Sequence, residues 1–178
     1  MILETERIIL RPWEETDAEE CYKYAKDPVV GPPCGWPVHT DVEHSRQVIR
    51  DVLMAPESFA IVLKETGLPV GSIGLHRNDV AKKEDELELG FWIGAPYWGQ
   101  GLVPEAAREI LRYAFEDLKL NRVWCCYYEG NEKSKRAQEK LGFKYQWTSE
   151  NVPVKLLGET RTGYVNLMTK EEWLKGVN

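Results

Sequence analysis

The sequence predicts an α/β (α+β) fold, with one mixed sheet carrying helices on both faces. Three observations lead there. Short β-branched or aromatic runs and stretches of 3.6-residue period follow one another in the order β-α-α-β-β-β-α-β-α-β-β. At roughly 100–200 residues per domain, 178 residues make a single domain spanning 1–178. No linker, repeat or low-complexity tract divides the chain.

The first strand is Glu6 to Trp13, built on Ile8-Ile9-Leu10 and ended by Pro12. Thr16-Asp17-Ala18-Glu19 reads as a capping box, and Ala18, Cys21, Tyr22 and Ala25 then share one helical face. A second box, Thr40-Asp41-Val42-Glu43, opens a helix whose stripe is Val48, Ile49, Val52 and Leu53. Between the two helices, Pro28 to Pro37 holds four prolines and two glycines, which predicts an irregular loop and no helix.

Phe59–Leu63 and Val70–Leu75 are β-branched runs joined by the turn residues Thr66-Gly67-Leu68-Pro69. Glu86 to Ile93 alternates, with Leu87, Leu89, Phe91 and Ile93 on one side and Glu86, Glu88, Gly90 and Trp92 on the other. Pro104 to Leu118 is the clearest helix, and Pro104 suits a first turn, where a missing N–H costs nothing. Val123–Tyr128 is an aromatic-rich strand. Asn131–Leu141 is a helix with Asn at its start and Gly142 just past its end. Phe143–Trp147 and Tyr164–Met168 complete the strands, and Thr169-x-x-Glu172 caps a short terminal helix.

Composition narrows the function. Hydrophobic residues at 43% and charged residues at 29% are those of an ordinary globular protein and exclude a disordered chain. A net charge of −6 argues against nucleic-acid binding and favours a cationic or amine-bearing partner. The four cysteines (Cys21, Cys34, Cys125, Cys126) show no C-x-x-C spacing, so neither a zinc site nor a disulfide framework is expected. His39, His44 and His76 share no metal-ligand spacing, and no metal is expected. No apolar run approaches the ~18 residues that span a bilayer, and the acidic start is unlike a signal peptide. A cytoplasmic protein that binds no membrane is the expectation.

The chemistry concentrates in Phe91 to Ala106, where a strand enters a glycine-bearing loop that opens onto the best helix. Glycines let backbone N–H groups turn toward an anion, and a helix N-terminus adds about half a positive charge. Such a loop suits a pyrophosphate, although a tight strand–helix turn with no ligand has the same glycines. Two familiar phosphate loops do not fit. Gly101 is followed by Leu102 where the Walker pattern needs Lys, and Pro104 stands where the dinucleotide fingerprint needs its third glycine.

Tyr97-Trp98-Gly99-Gln100-Gly101-Leu102-Val103-Pro104-Glu105-Ala106 resembles the acetyl-CoA loop of the GNAT acetyltransferases. The resemblance is to the Rim-type branch, which includes the ribosomal-protein N-terminal acetyltransferases and reads Y-W-G-x-G-x-[AG]-x-E-A here. Glu86 to Ile93 resembles the family's fourth strand, and Asn131-x-x-Ser134 with Glu139-Lys140-Leu141-Gly142-Phe143 resembles its closing motif. Leu3 to Pro12 is also typical of the branch. Val103 and Pro104 depart from the pattern, the first where Ala or Gly is usual and the second where an N–H is usual.

The resemblance implies a mostly antiparallel sheet splayed between its fourth and fifth strands, and transfer of an acetyl group from acetyl-CoA, the co-substrate, to a primary amine. It places the pyrophosphate on the N–H groups of Gln100, Gly101, Leu102 and Val103, with Trp98 and Gly99 as further cofactor-binding residues, and the pantetheine arm beside Gly90, Phe91, Trp92 and Asn131. Glu88 is the candidate general base, with Glu86 the weaker candidate, nearer the acceptor. Alternate glutamates that merely solvate an exposed strand face are the competing reading. Ser134 is the candidate acid at the departing sulfur, with Tyr127 or Tyr128 as substitutes, while Asn131 is equally a good N-cap. Lys133, Lys135 and Arg136 stand near the nucleotide phosphate or form a solvated face. Trp36 is the candidate aromatic wall of the acceptor site, or a core residue. The acceptor is a protein N-terminus or a small amine, and the protein a monomer or homodimer. An acyl-CoA-binding sensor or scaffold without turnover is the alternative function.

Overall fold

The computed structural model describes residues 1–176. Its sheet has eight strands: β1 (Leu3–Glu4), β2 (Ile8–Arg11), β3 (Ser58–Leu63), β4 (Pro69–His76), β5 (Glu86–Ile93), β6 (Arg122–Tyr128), β7 (Lys144–Val154) and β8 (Glu159–Thr169). They lie in the order β1-β2-β3-β4-β5-β6-β8-β7. Every neighbouring pair is antiparallel except β5 and β6, which run parallel. The helices are α1 (Ala18–Ala25), α2 (Gly31–Cys34), α3 (Val42–Val48), α4 (Leu102–Arg112), α5 (Glu132–Leu141) and α6 (Lys170–Gly176).

The period of two along β3 shows why helices cover both faces. Phe59 and Ile61 join a cluster with Ala106, Ala107, Ile110 and Leu111 of α4. Ala60 and Val62 join a second cluster with Ala18, Cys21 and Ala25 of α1, together with Ile49 and Trp13. The mixed sheet and its two helical layers match the expectation.

Local details differ from the sequence reading, each for a physical reason. The Pro28–Pro37 loop contains a short helix, Gly31–Cys34, because prolines are tolerated in a first turn, where no intrahelical N–H is needed. Asp41, not Thr40, caps α3, accepting from the His44 N–H at 2.7 Å. The Thr16 box does not form: Asp17 stands at the N-cap of α1 without a side-chain bond to it, and its carboxylate instead closes the turn just before the helix. It accepts from the Glu14 N–H at 3.0 Å and holds the Arg11 guanidinium in two bonds of 2.8 Å. Helix α4 starts at Leu102, two residues before Pro104, and passes into a π turn at Tyr113–Asp117. Strand β7 runs seven residues beyond Trp147. It is an edge strand with no residue buried before Val154, so it carries no apolar alternation to read.

The splay falls at the parallel pair. Strands β5 and β6 pair at Glu86↔Arg122, Leu87↔Val123 and Glu88↔Trp124, and beyond Glu88 they no longer pair. At the fork, the Cys125 thiol donates to the Leu89 carbonyl at 3.3 Å, capping the last acceptor of the broken ladder.

Candidate active site

The fork opens into a cleft of about 690 Å³. Its floor is the end of β5 (Phe91, Trp92, Ile93), and one wall is the turn from Tyr97 to Pro104. One face of α5, from Glu132 to Lys140, and the Pro28–Cys34 loop close the other sides.

Backbone direction along β5 decides which amides serve the cleft. The Leu89 carbonyl faces β6, since it takes the Cys125 thiol, while the Gly94 N–H bonds the Val70 carbonyl on the β4 side. Alternation therefore turns the N–H and C=O of Phe91 into the opening and those of Gly90 toward Gly74 of β4. Phe91, not Gly90, is the backbone donor next to a guest strand. What Gly90 contributes is space: a Cβ there would stand 2.7 Å from Cε1 of His76.

Gly99 and Gly101 have φ of +73° and +75°, a region that side-chain-bearing residues rarely adopt. Gly101 is the N-cap of α4, so the first amides of the helix emerge at the cleft wall, where Leu102 and Val103 lie. Pro104 has no N–H and occupies the third helical position. Gln100 is not among the lining residues: its side chain donates to the Pro96 carbonyl and its own carbonyl accepts from Arg7 Nη1 at 2.9 Å.

Arg7 also binds Glu105 through Nε at 2.7 Å, and the Thr5 hydroxyl donates to Glu105 at 2.6 Å. Burial pushes the Glu105 carboxyl up, but the Thr5 hydroxyl and the Arg7 N–H and guanidinium outweigh it and hold it below the usual carboxylate range. The N-terminal strands thus brace the glycine turn from behind. Trp98 joins the turn to the sheet, donating from Nε1 to the Ile93 carbonyl at 3.1 Å. The Lys133 ammonium sits 3.7 Å from the centre of its ring, so α5 contributes Lys133, Arg136 and Lys140 to the cleft.

Glu88 lies at the crotch of the fork and is 9% exposed. Its Oε2 has no hydrogen-bond partner among the described residues. Burial pushes the carboxyl up to about 7, with the Cys126 thiol and N–H pulling back weakly. A carboxylate that titrates near neutrality and has a free oxygen is suited to take a proton.

The exposed-face reading of the two glutamates is wrong, because both are buried. Glu86, expected near the acceptor, is committed elsewhere. Its oxygens accept from Arg122 Nη1 at 2.9 Å and Trp124 Nε1 at 3.2 Å, and it does not line the cleft. Burial pushes its carboxyl up, yet Arg122, Trp124 and Lys83 keep it low and ionised. It fastens the closed end of the fork.

Asn131 does cap α5: its Oδ1 accepts from the Ser134 N–H at 3.3 Å. It also lines the cleft and donates from Nδ2 to the Pro33 carbonyl at 3.3 Å, tying α5 to the loop opposite. Ser134 lines the cleft as well, its Oγ accepting from Gln138 Nε2 at 3.1 Å. Neither Tyr127 nor Tyr128 lines it. Tyr127 stacks on Tyr164 with centroids 5.0 Å apart, and Tyr128 lies under Arg161. Trp36, the expected acceptor wall, packs on Trp92 (5.6 Å) and His39 (5.3 Å) and lies outside the cleft lining.

Sequence reading missed Cys34, which lines the cleft. Burial pushes its thiol up to about 11 against the pull of Arg161, so it stays protonated at neutral pH and is no thiolate nucleophile. All four cysteines are free. Among the described residues, no three His, Cys, Asp or Glu gather as a metal site.

A forked parallel pair and a braced glycine turn bound the cleft, and the buried Glu88 lies at the fork just outside the residues that line it. Comparisons with known proteins place this arrangement in a family. The family profile described as Acetyltransferase (GNAT) domain matches residues 7–144, and the chain belongs to that family. It is 31% identical over 147 residues to "Uncharacterized N-acetyltransferase p20" of Bacillus licheniformis, covering 80% of this chain and 82% of that one. Its structure is similar to a GNAT-family acetyltransferase from Bacillus anthracis (TM-score 0.86, 26% identity, 97% and 100% of the two chains). The fold also matches ribosomal-protein-S5-alanine acetyltransferase from Vibrio fischeri (TM-score 0.74, 17% identity, 97% and 98% covered). The protein is an acetyltransferase of the family that takes acetyl-CoA as co-substrate.

Proposed function

We propose that this chain, acting as one domain, acetylates the primary amine of a small molecule or a protein N-terminus, with Glu88 as base and the Ser134 hydroxyl as hydrogen-bond donor to the departing sulfur. The observation that carries this is Glu88 itself: a buried carboxyl with one unpartnered oxygen, raised to about 7, at the point where two strands part.

Bound in the cleft, acetyl-CoA supplies a thioester whose acyl carbon accepts the amine. The amides of Leu102 and Val103, with the positive end of α4, hold the pyrophosphate, and Gly99 and Gly101 let the backbone turn to present them. Lys133, Arg136 and Lys140 face the nucleotide end. The pantetheine arm lies along the free edge of β5 as an added strand, where Phe91 offers its N–H and C=O. Trp98, Trp92 and Asn131 complete the walls.

A lysine-like amine has a pKa of about 10.4 and must lose a proton to attack. Glu88 removes it directly or through one water, which is worth about 10²–10⁴-fold. The amine lone pair forms the C–N bond, and the C–S bond breaks with its electrons on sulfur. Ser134 hydrogen-bonds that sulfur as charge develops there. The free thiols and the acidic charge suit the cytoplasm, and among the described residues no helix is long and apolar enough to cross a membrane.

The test is incubation with acetyl-CoA and a panel of polyamines, amino acids, aminoglycosides and peptides with free N-termini. Release of free thiol with an N-acetylated product supports the reading. Stabilisation by CoA without thiol release on any amine contradicts it.

A further inference from the structure

Helix α5 is polar along most of its length, with Lys133, Lys135, Arg136, Glu139 and Lys140 on its surface. Gln138 is the exception, since it is fully buried with no exposed surface. A buried amide is tolerated only when its donors and acceptor are used. All three groups are. Nε2 donates to the Cys126 carbonyl and to Ser134 Oγ, each at 3.1 Å, and Oε1 accepts from Asn166 Nδ2 at 2.7 Å.

This arrangement fixes the direction of each bond. A backbone carbonyl only accepts, so the nitrogen of Gln138 must face Cys126 and cannot exchange places with its oxygen. The second N–H of that nitrogen then points at Ser134 Oγ, which must accept. The Ser134 proton is left to point elsewhere, and no acceptor among the described residues takes it. The remaining direction is the cleft, which Ser134 lines. Cys126 links the two ends of the chemistry. Its N–H and thiol reach Glu88, while its carbonyl holds Gln138.

We propose that Gln138 is a positioning residue for acyl transfer: its buried amide, clamped by Asn166 and the Cys126 carbonyl, donates to Ser134 Oγ and so aims the Ser134 proton at the sulfur that takes up the C–S electron pair. The inference rests on Ser134 acting at that sulfur. The amine's proton passes to Glu88, and Ser134 keeps its own proton, so the hydroxyl acts as an oriented donor and no charge is left on it.

The experiment compares kcat and KM for acetyl-CoA, by thiol release, in Gln138→Met and Gln138→Glu, each alone and combined with Ser134→Ala. Gln138→Met removes the donor at similar volume, and Gln138→Glu offers Ser134 an acceptor that draws its proton away from the cleft. Both are expected to lower kcat by about tenfold with KM changed by less than about twofold, and to add nothing in the Ser134→Ala background. The Glu variant's defect deepens as pH rises and its carboxyl ionises. Asn166→Asp, which releases the clamp on Oε1 without altering α5, is the fallback if those variants do not fold, and it follows the same pattern. Equal losses of kcat with and without Ser134 overturn the proposal and make Gln138 a structural bridge. If Ser134→Ala alone leaves kcat intact while transfer continues, the role given to Ser134 fails and this inference with it. Absence of thiol release by the unaltered protein on every amine overturns the proposed function first.

Discussion

Glu88 and Trp124 form the last rung of the parallel ladder between β5 and β6, and the carboxylate of Glu88 sits where the rungs stop. The break is built from side chains on both sides of it. Below, Glu86 clasps Arg122 and the Trp124 indole; at the fork, the Cys125 thiol takes the Leu89 carbonyl. Beyond, the free edge of β5 and the glycine turn line a cleft of about 690 Å³.

Glu88→Gln tests the base. Transfer is expected to fall about 10²-fold or more at neutral pH, and the inflection near pH 7 in kcat/KM is expected to vanish. A pH–rate profile on one amine, compared with the unaltered protein, reads this directly.

The same substitution has a stability signature of defined sign. The folded protein holds Glu88 above its ordinary value of 4.5, so it binds a proton that the unfolded chain releases. That contribution is complete below about pH 4.5 and is lost as pH rises through about 7. Above pH 8, Glu88→Gln should therefore melt higher than the parent, by about 2–4 °C for each kcal/mol regained, and the gain should shrink at pH 5. Thermal melts at the two pH values check it.

Arg7→Ala removes the brace from the Gln100 carbonyl and from Glu105 without touching the cleft lining. The expected result is a KM for acetyl-CoA several-fold higher with kcat little changed, because only the turn that grips the nucleotide loosens. Steady-state kinetics with acetyl-CoA as the varied substrate decides it.

Gly101→Ala forces a side chain onto φ +75° at the N-cap of α4. Its would-be Cβ lies 3.6 Å from Arg7 Nη2, so the cost is conformational and not a clash. A loss of about 1 kcal/mol of stability is expected from the left-handed conformation. CoA affinity should fall further than that, as the helix amides turn away from the cleft. Calorimetry on the folded variant measures both.

Ser134→Ala and Asn131→Ala separate capping from chemistry. The cap uses the backbone N–H of Ser134, so losing the hydroxyl should lower kcat with little change in melting temperature. Losing the Asn131 side chain should lower stability by about 1 kcal/mol and loosen the Pro33 contact, raising KM. A drop in melting temperature with Ser134→Ala and unchanged turnover would reverse the assignment.

How much of this was legible from residues alone follows from where each signal lies. The strand–turn–helix around Gly99 and Gly101 is readable because glycines between an alternating strand and a periodic apolar stripe mark a tight turn, and the positive φ of both residues bears that out. Glu88 could be picked out by strand parity, yet the cause of its raised pKa was hidden, since burial is a property of the assembled sheet. Glu86, the weaker candidate, shares that parity. Its partner Arg122 lies 36 positions away, and nothing local announced the pairing. Strand β7 escaped because an exposed edge has no reason to alternate. Gln138 sat unnoticed among charged neighbours. Its three partners come from α5, β6 and β8, which only the fold brings together.

The most direct measurement is a titration of CoA into the labelled protein, followed by backbone amide resonances. The largest shifts should fall on Phe91 to Ile93 and on Gly99 to Val103, with saturation at one equivalent. Saturating CoA that leaves those amides unmoved, or that shifts only residues on the far edge of the sheet such as Glu150 to Thr162, would contradict the placement of the co-substrate and the mechanism built on it.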